Sequence, residues 1–154
     1  MTLAIGDKVP DFDLPTETGR VRLADLKGKT VVLYFYPKDD TPACTSENID
    51  FSAALPAFEK AGVTVIGVSK DSLKAHAKFR AKHDLKVILG SDEGGDVIER
   101  YDAWVEKTLY GRNYMGIDRS TYLIDGEGML RGLWRKVRVK NHAEEVLKAA
   151  QALA

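Results

Sequence analysis

The feature that most constrains this chain is an uninterrupted apolar run at residues 30–36, which Pro37 and a short acidic loop bring to an end. Its β-branched and aromatic residues do not alternate with polar ones, which is typical of a strand covered on both faces. Thr41 and Pro42 then form a helix-start signal, since a hydroxyl residue favours the N-cap and proline the first helical position. The sequence therefore predicts a central strand, a tight loop and a helix from about residue 42.

The only cysteine, Cys44, falls in the first turn of that predicted helix. Backbone N–H groups in a first turn lack intrahelical partners, and the helix dipole adds positive potential there. Both effects favour a thiolate over a thiol. A lone cysteine is by default a small, inert buried residue, but its place at a helix start, between Ala43 and Thr45, favours a reactive group. Thr41 is interpreted as the N-cap, and its hydroxyl can also take part in any chemistry at Cys44.

The order of predicted elements indicates the fold. Residues 63–68 form a second central strand, and the helix-length connection from the first implies a parallel pair with a right-handed crossover. The remaining predictions are a hairpin of residues 11–14 and 20–23, a helix from 69–72 to 82–84, a strand at 87–89, a helix at 96–103, a hairpin of 120–125 and 129–137, and a helix from 141. A β-α-β unit followed by β-β-α is the thioredoxin topology. We therefore expect one α/β domain over residues 1–154, a thioredoxin-like central mixed sheet flanked by helices, with an N-terminal β-hairpin extension and a central insertion.

Three local features carry separate predictions. Residues 104–118 show no clear period, which predicts a long loop of functional or mobile character. Pro56 lies inside the first helix and is predicted to bend or split it. Asn141 with Glu144 has the spacing of a capping box, which predicts the start of the final helix.

The charge balance and the N-terminal segment bear on whether the protein binds nucleic acid or membranes. Lysine plus arginine and aspartate plus glutamate both number 23, so no net charge attracts the chain to nucleic acid or to an anionic membrane. Asp7 interrupts the N-terminal segment before a signal-length apolar stretch forms, and no stretch approaches the roughly 20 apolar residues of a membrane span. We expect a cytoplasmic protein with neither nucleic-acid nor membrane partners.

Residues 36–45, YPKDDTPACT, resemble the P-x-x-x-T-x-x-C signature of peroxiredoxins. Their particular sequence is similar to that of the bacterioferritin comigratory protein (PrxQ) subfamily. The resemblance covers nearly the whole chain, with further matches at residues 67–72, 110–121 and 134–142. It implies that Cys44 is the peroxidatic nucleophile, that Thr41 and Arg119 activate it, and that Pro37 shields the pocket. Without the resemblance, Arg119 is interpreted as a surface arginine at a strand end.

The chain departs from the family pattern at three positions. Ala43 stands where glycine is usual before the nucleophile. Ile49 and Arg80 stand where many members keep a resolving cysteine, and one cysteine cannot form an intrachain disulfide. The resemblance therefore implies a hydroperoxide substrate and an external thiol reductant, thioredoxin or glutaredoxin with glutathione, with no cofactor. We expect a monomer or a weak dimer.

Other enzyme classes lack their signatures. Dithiol exchange on this fold needs Cys-x-x-Cys, and residues 44–47 read Cys-Thr-Ser-Glu. No Gly-x-Gly-x-x-Gly supports nucleotide binding. A metal site needs clustered ligands, whereas three histidines are scattered and are interpreted as surface residues: His76, His83 and His142. Asp39 and Asp40 are interpreted as solvated loop charges.

One alternative from a different class stays open. Cys44 can belong to a non-enzymatic peroxide-sensing or interaction module, in which it is oxidised once and a partner recognises the oxidised form. Steady-state peroxide consumption with excess thiol distinguishes an enzyme from such a sensor.

Overall fold

The computed structural model describes residues 3–153. In chain order the elements are β1 (Asp13–Thr16), β2 (Gly19–Arg22), a 3₁₀ helix (Leu23–Leu26), β3 (Thr30–Phe35), α1 (Pro42–Lys60), β4 (Val63–Ser69), α2 (Leu73–His83), β5 (Ile88–Ser91), α3 (Asp96–Arg100), β6 (Trp104–Leu109), β7 (Arg112–Ile117), β8 (Ser120–Ile124), β9 (Leu130–Trp134) and α4 (His142–Leu153). None of the described helices is long and apolar enough to cross a membrane.

Five strands form the central sheet, in the order β5-β4-β3-β8-β9. Strand β3 runs parallel to β4 and antiparallel to β8, while β5 is parallel to β4 and β9 antiparallel to β8. The sheet is therefore mixed, with helices around it, and the predicted thioredoxin-like α/β fold is confirmed. The N-terminal hairpin is also present, although its strands pair over 13–16 and 19–22 instead of 11–14 and 20–23.

Strand β3 shows why its sequence is apolar throughout. Val31, Leu33 and Phe35 belong to a buried cluster that includes the N-terminal hairpin and α3. Val32 and Tyr34 belong to a second cluster, on the other face, that includes α1, α2 and α4. Both faces of the strand are buried, as the absence of polar alternation predicts.

Helix α1 runs unbroken through Pro56, so the prediction that it splits there is wrong. Phe51 and Phe58, on either side of the proline, are fully buried against the sheet, while Pro56 lies on the exposed face. Gly62 follows the helix with φ 76°, the left-handed conformation that glycine commonly supplies at a helix end.

Residues 104–118 do not form the predicted loop. Strands β6 and β7 pair as an antiparallel hairpin from Trp104↔Ile117 to Leu109↔Arg112. The two-residue turn between them has positive φ at both positions, 51° at Tyr110 and 76° at Gly111, as the favoured tight hairpin turns require. Much of the hairpin is exposed, so its strands lack the apolar alternation that identifies a strand facing a core.

Helix α4 begins without the predicted capping box. Asn141 has φ 62°, whereas an N-cap residue has extended backbone angles. Its main-chain carbonyl accepts from the Glu145 N–H at 3.1 Å. Among residues 3–153, no hydrogen bond joins the side chain of Asn141 or Glu144 to the main-chain N–H of the other, so the helix start was predicted correctly but its cap was not.

Gly67 on β4 lies opposite Tyr34 on β3. A Cβ atom added at Gly67 would lie 2.6 Å from Cζ of the tyrosine and 2.7 Å from its hydroxyl oxygen. The glycine therefore leaves the space that the Tyr34 ring occupies.

Candidate active site

Cys44 lies in the first turn of α1, as predicted. Helical hydrogen bonding begins at the preceding residues, where the Thr45 N–H donates to the Thr41 carbonyl at 2.8 Å. The cysteine is 1% exposed. The sulfur is therefore enclosed by protein and is close to the unpaired N–H groups of the helix start.

Arg119 brings a positive charge to this sulfur. It immediately precedes β8, and the pairing of Ser120 with Phe35 places it at the end of β3 from which the chain leads to α1. Its Nη2 donates to Cys44 Sγ at 3.3 Å and its Nη1 donates to Glu47 Oε1 at 2.7 Å. Burial opposes the charge of the guanidinium, but Glu47 and Cys44 outweigh it and raise the pKa of Arg119.

Glu47 is a site residue that sequence reasoning missed. It follows Cys44 by three positions on α1, so both side chains lie on one helix face. The residue is 1% exposed, and burial raises its carboxyl pKa from 4.5 to about 7, with Arg119 opposing the rise. Within the described part of the chain, Glu47 Oε2 is buried without a hydrogen-bond partner. The i, i+3 spacing from the nucleophile was the available signal.

Thr41 has the predicted N-cap backbone, with φ −97° and ψ 154°, but its side chain makes a different contact. The hydroxyl donates to the Lys38 carbonyl at 2.8 Å. Within the described residues 3–153, the Thr41 side chain neither caps the helix with a hydrogen bond nor forms a hydrogen bond with Cys44 Sγ. The expected side-chain cap is therefore wrong, while the oxygen lone pairs stay available to accept a hydrogen bond.

Pro37 lines a cleft of about 510 Å³ together with Arg119, Lys107 and Tyr114. The last two side chains come from β6 and β7, so the hairpin that the sequence did not reveal supplies a wall of the cleft. Desolvation lowers the pKa of the half-buried Lys107, although Asp118 opposes the shift. The predicted residues Pro37 and Arg119 thus share one cleft, with Cys44 in contact with the arginine.

Two side chains fix the backbone of the turn that holds Cys44. The Tyr34 hydroxyl donates to Asn48 Oδ1 at 2.5 Å, and Asn48 Nδ2 donates to the Cys44 carbonyl at 2.9 Å. The Tyr34 ring also stacks on Phe51, with ring centroids 4.3 Å apart. The position of Cys44 therefore depends on the central strand β3 as well as on α1.

The interpretation of the histidines as surface residues is wrong for His76 and His142, which are 0% and 4% exposed. His142 Nε2 lies 2.8 Å from Thr121 Oγ1, and burial lowers the pKa of this imidazole to about 4. His83 is partly exposed and contacts Asp40. Asp39 was expected to be solvated, but it is buried against His76.

One group within residues 3–153 has the spacing of possible metal ligands, Asp39, Asp71 and His76. These side chains already bond within the protein: His76 Nδ1 lies 2.7 Å from Asp39 Oδ2, and Asp71 Oδ2 accepts from the Asp39 N–H at 2.8 Å. Because these hydrogen bonds use the ligand atoms, the group fits a buried hydrogen-bond network better than a metal centre.

Comparison with known proteins agrees with this geometry. Residues 5–132 match the AhpC/TSA family. A putative peroxiredoxin Bcp of Coxiella burnetii is 49% identical over 148 residues, which is 96% of this chain and 98% of that protein. Peroxiredoxin Bcp of Bacillus subtilis is 46% identical and covers 100% of this chain and 99% of its own length.

Two solved structures are similar over most of their length. A variant of PrxQ from Xylella fastidiosa superimposes with a TM-score of 0.93 at 38% identity, covering 99% of this chain and 98% of that one. The bacterioferritin comigratory protein of Xanthomonas campestris gives 0.87 at 43% identity, covering 92% and 91%. The chain therefore belongs to the AhpC/TSA family, as a peroxiredoxin of the Bcp (PrxQ) group that lacks a resolving cysteine.

Proposed function

We propose that this peroxiredoxin reduces hydroperoxides through Cys44 by a one-cysteine mechanism, with an external thiol as reductant. The observation that carries the proposal is the contact of 3.3 Å between Arg119 Nη2 and Cys44 Sγ at the start of α1. A partly buried guanidinium beside a sulfur at a helix N-terminus stabilises the thiolate, which is the nucleophilic form.

In the oxidation step the Cys44 thiolate attacks one peroxide oxygen. A sulfur–oxygen bond forms, the O–O bond breaks, and the leaving oxygen keeps its electron pair and takes up a proton. The products are Cys44 sulfenic acid and water or an alcohol. Negative charge grows on the leaving oxygen, so donors fixed near it lower the barrier.

Three groups around the sulfur are suited to that step. Arg119 already directs one N–H at Cys44, and the Cys44 main-chain N–H lies in the first turn, without an intrahelical carbonyl partner. The Thr41 hydroxyl donates to Lys38 and so presents its lone pairs to the proton of an incoming peroxide. Pro37 lines the cleft beside Arg119, and its apolar ring is suited to shield the pocket from water.

The size of the cleft supports organic hydroperoxides as substrates alongside hydrogen peroxide. A volume of about 510 Å³ leaves room for an alkyl group beside Arg119. The Xanthomonas campestris bacterioferritin comigratory protein, a relative of known structure, has alkyl peroxide reduction activity. We therefore include alkyl hydroperoxides in the proposed substrate class.

The second half of the cycle needs a thiol from another molecule. Neither Ile49 nor Arg80 can resolve a sulfenic acid, and Arg80 instead donates to the carbonyls of Leu85 and Val87 at 2.8 Å and 2.7 Å. An external thiol condenses with the sulfenic acid to a mixed disulfide and water, and a second thiol then releases Cys44. Thioredoxin, or glutaredoxin with glutathione, are the proposed donors, and the protein acts as a monomer or weak dimer.

Intact-mass spectra after one equivalent of hydrogen peroxide test the mechanism. We expect one added oxygen per chain, trapped by dimedone, and sulfinic acid when more peroxide is added without reductant. Excess thiol should restore repeated turnover, whereas a sensor would consume a single equivalent. Rapid formation of a disulfide between two chains, with no oxygen-bearing monomer at any time, would contradict the one-cysteine mechanism.

A further inference from the structure

A fully buried histidine lies below the active-site loop, defined here as residues 36–41. His76 on α2 is 0% exposed. Its Nδ1 lies 2.7 Å from Asp39 Oδ2 and its Nε2 lies 3.0 Å from the Gly90 carbonyl oxygen on β5. An ionised carboxylate and a carbonyl are both acceptors, so a ring with protons on both nitrogens satisfies both contacts. This geometry favours His76 as an imidazolium.

Asp39 is bound to the surrounding structure on several sides. Its Oδ1 accepts from the Tyr36 hydroxyl at 2.6 Å, while Oδ2 accepts from His76. Its main-chain N–H donates to Asp71 Oδ2 at 2.8 Å, an oxygen that also accepts from the Ser69 hydroxyl at 2.6 Å. The middle of the active-site loop is thus fixed both through its side chain and through its backbone.

The position of Asp39 in the chain gives this network a consequence for the site. Asp39 lies midway between Pro37, which lines the cleft, and Thr41, whose carbonyl accepts the first hydrogen bond of α1. The loop is short, so a shift of Asp39 moves both neighbours. A displacement near 1 Å at such groups can cost about 100-fold in rate.

We propose that the His76 imidazolium is a positioning residue for the reaction of Cys44, acting through Asp39 to fix Pro37 and Thr41. The inference rests on the proposed peroxidase function, and His76 itself touches neither the sulfur nor the cleft lining. Loss of the proton removes the ion pair with Asp39 and leaves one ring nitrogen without a hydrogen to donate, so the loop is held most firmly while the imidazole is protonated.

The pH dependence follows from the groups that face His76. Burial opposes its charge, but Asp39 and the more distant Asp71 favour it, together with the Gly90 carbonyl, and the net effect raises the pKa of His76 above 6.5. Tyr36 stays neutral, because burial raises its pKa well above 10. The stabilisation is therefore complete below pH 6.5 and is lost as the pH rises through the raised value, so peroxide oxidation should fall on the alkaline side.

Nuclear magnetic resonance of the parent protein, labelled with nitrogen-15 in histidine, tests the charge directly. A pH titration should give the His76 ring a midpoint above the ordinary imidazole value of about 6.5, and below that midpoint both ring nitrogens should carry protons that exchange slowly with solvent. A ring that is mostly neutral, with a single N–H, at about pH 6.5 would overturn the proposal.

The kinetic test compares His76→Gln with His83→Gln, since both residues lie on α2 and contact the loop, but only His76 is fully buried. We expect His76→Gln to slow oxidation of Cys44 by hydrogen peroxide by up to about 100-fold and to remove the alkaline fall in rate. Alkylation by iodoacetamide, which needs neither Thr41 nor Pro37, should change far less. His83→Gln should match the parent in both reactions.

Equal oxidation rates in His76→Gln and the parent would overturn the inference while leaving the proposed function intact. Failure of the parent to react with peroxide would instead contradict the function. If His76→Gln does not fold, Asp39→Asn tests the same contact, since it removes the charge that the imidazolium binds. It should slow oxidation more than alkylation, and an unchanged rate would likewise overturn the inference.

Discussion

The start of α1 contacts Arg119 of the cleft that the β6–β7 hairpin lines, yet the two regions are built in opposite ways. Cys44 and Glu47 are each 1% exposed and share hydrogen bonds with Arg119, whereas Tyr110 and Leu109 on the hairpin are 95% and 55% exposed. Buried charged groups fix the geometry of the sulfur, while the hairpin mainly shapes the entrance. We therefore expect substitutions at α1 to change the chemistry and substitutions on the hairpin to change access.

The largest effects should come from the sulfur and its cation. Cys44→Ser should abolish peroxide reduction, and Arg119→Ala should slow oxidation about 100- to 1000-fold, the range for loss of one preorganised donor. Arg131→Ala, which alters an exposed arginine on β9, is the matched control. Stopped-flow oxidation rates decide the matter, and an Arg119→Ala variant as fast as the parent would remove the arginine from the mechanism.

Glu47→Gln should change the pH dependence of stability. The folded carboxyl has a pKa of about 7 against 4.5 unfolded, so the folded state binds more protons between these values. The contribution of Glu47 to the free energy of unfolding should therefore fall as the pH rises across this range, by roughly 3 kcal/mol at most. Urea unfolding at several pH values should show this fall in the difference between the parent and Glu47→Gln, while the difference between the parent and the exposed control Glu144→Gln should stay constant.

His142, whose ring packs edge-on against Phe51 of α1, should give an effect of comparable size and opposite sign. Its folded pKa of about 4 lies below the ordinary 6.5, so the unfolded state binds the proton first as the pH falls. The contribution of His142 to the free energy of unfolding should therefore drop as the pH falls between these values, by up to about 1.4 kcal/mol per pH unit. The difference between the parent and His142→Gln should follow this slope, and a difference that does not change with pH would show that the slope arises elsewhere. His83→Gln serves as the control.

The smallest effects are expected on the hairpin. Tyr114→Ala should change the free energy of unfolding by less than about 0.5 kcal/mol and leave oxidation by hydrogen peroxide nearly unchanged. Oxidation by cumene hydroperoxide should change more, because Tyr114 lines the cleft. Tyr110→Ala, at the turn, should affect neither substrate. Equal losses on both peroxides in Tyr114→Ala would mean that the hairpin contributes to the chemistry as well.

The same contrast explains what the sequence could predict. Strand β3, the start of α1 and the place of Cys44 follow from local patterns, since a continuous apolar run and a Thr-Pro pair indicate structure by themselves. The role of Arg119 came only from resemblance, because its contact with Cys44 joins residues 75 positions apart. Thr41 shows the limit at atomic detail, since its backbone was predicted and its hydroxyl partner was not.

The buried charges were missed for a different reason. Glu47, Asp39 and His76 belong to residue types that are usually exposed, and they tolerate burial only because partners from other elements neutralise or bond to them. The sequence around each of these residues does not indicate which distant residues will be its partners. The β6–β7 hairpin was missed because its exposed strands do not alternate toward a core, and the Tyr110-Gly111 turn was its remaining signal.

Gly67 extends the active site to a residue that has no side chain. Its missing Cβ leaves room for Tyr34, whose hydroxyl holds Asn48, whose amide in turn holds the Cys44 carbonyl. In a mutational scan scored by peroxide survival, substitutions at Gly67 should therefore be depleted as strongly as those in the cleft. Such a scan would identify a residue of the buried strand β4 as necessary for peroxide reduction.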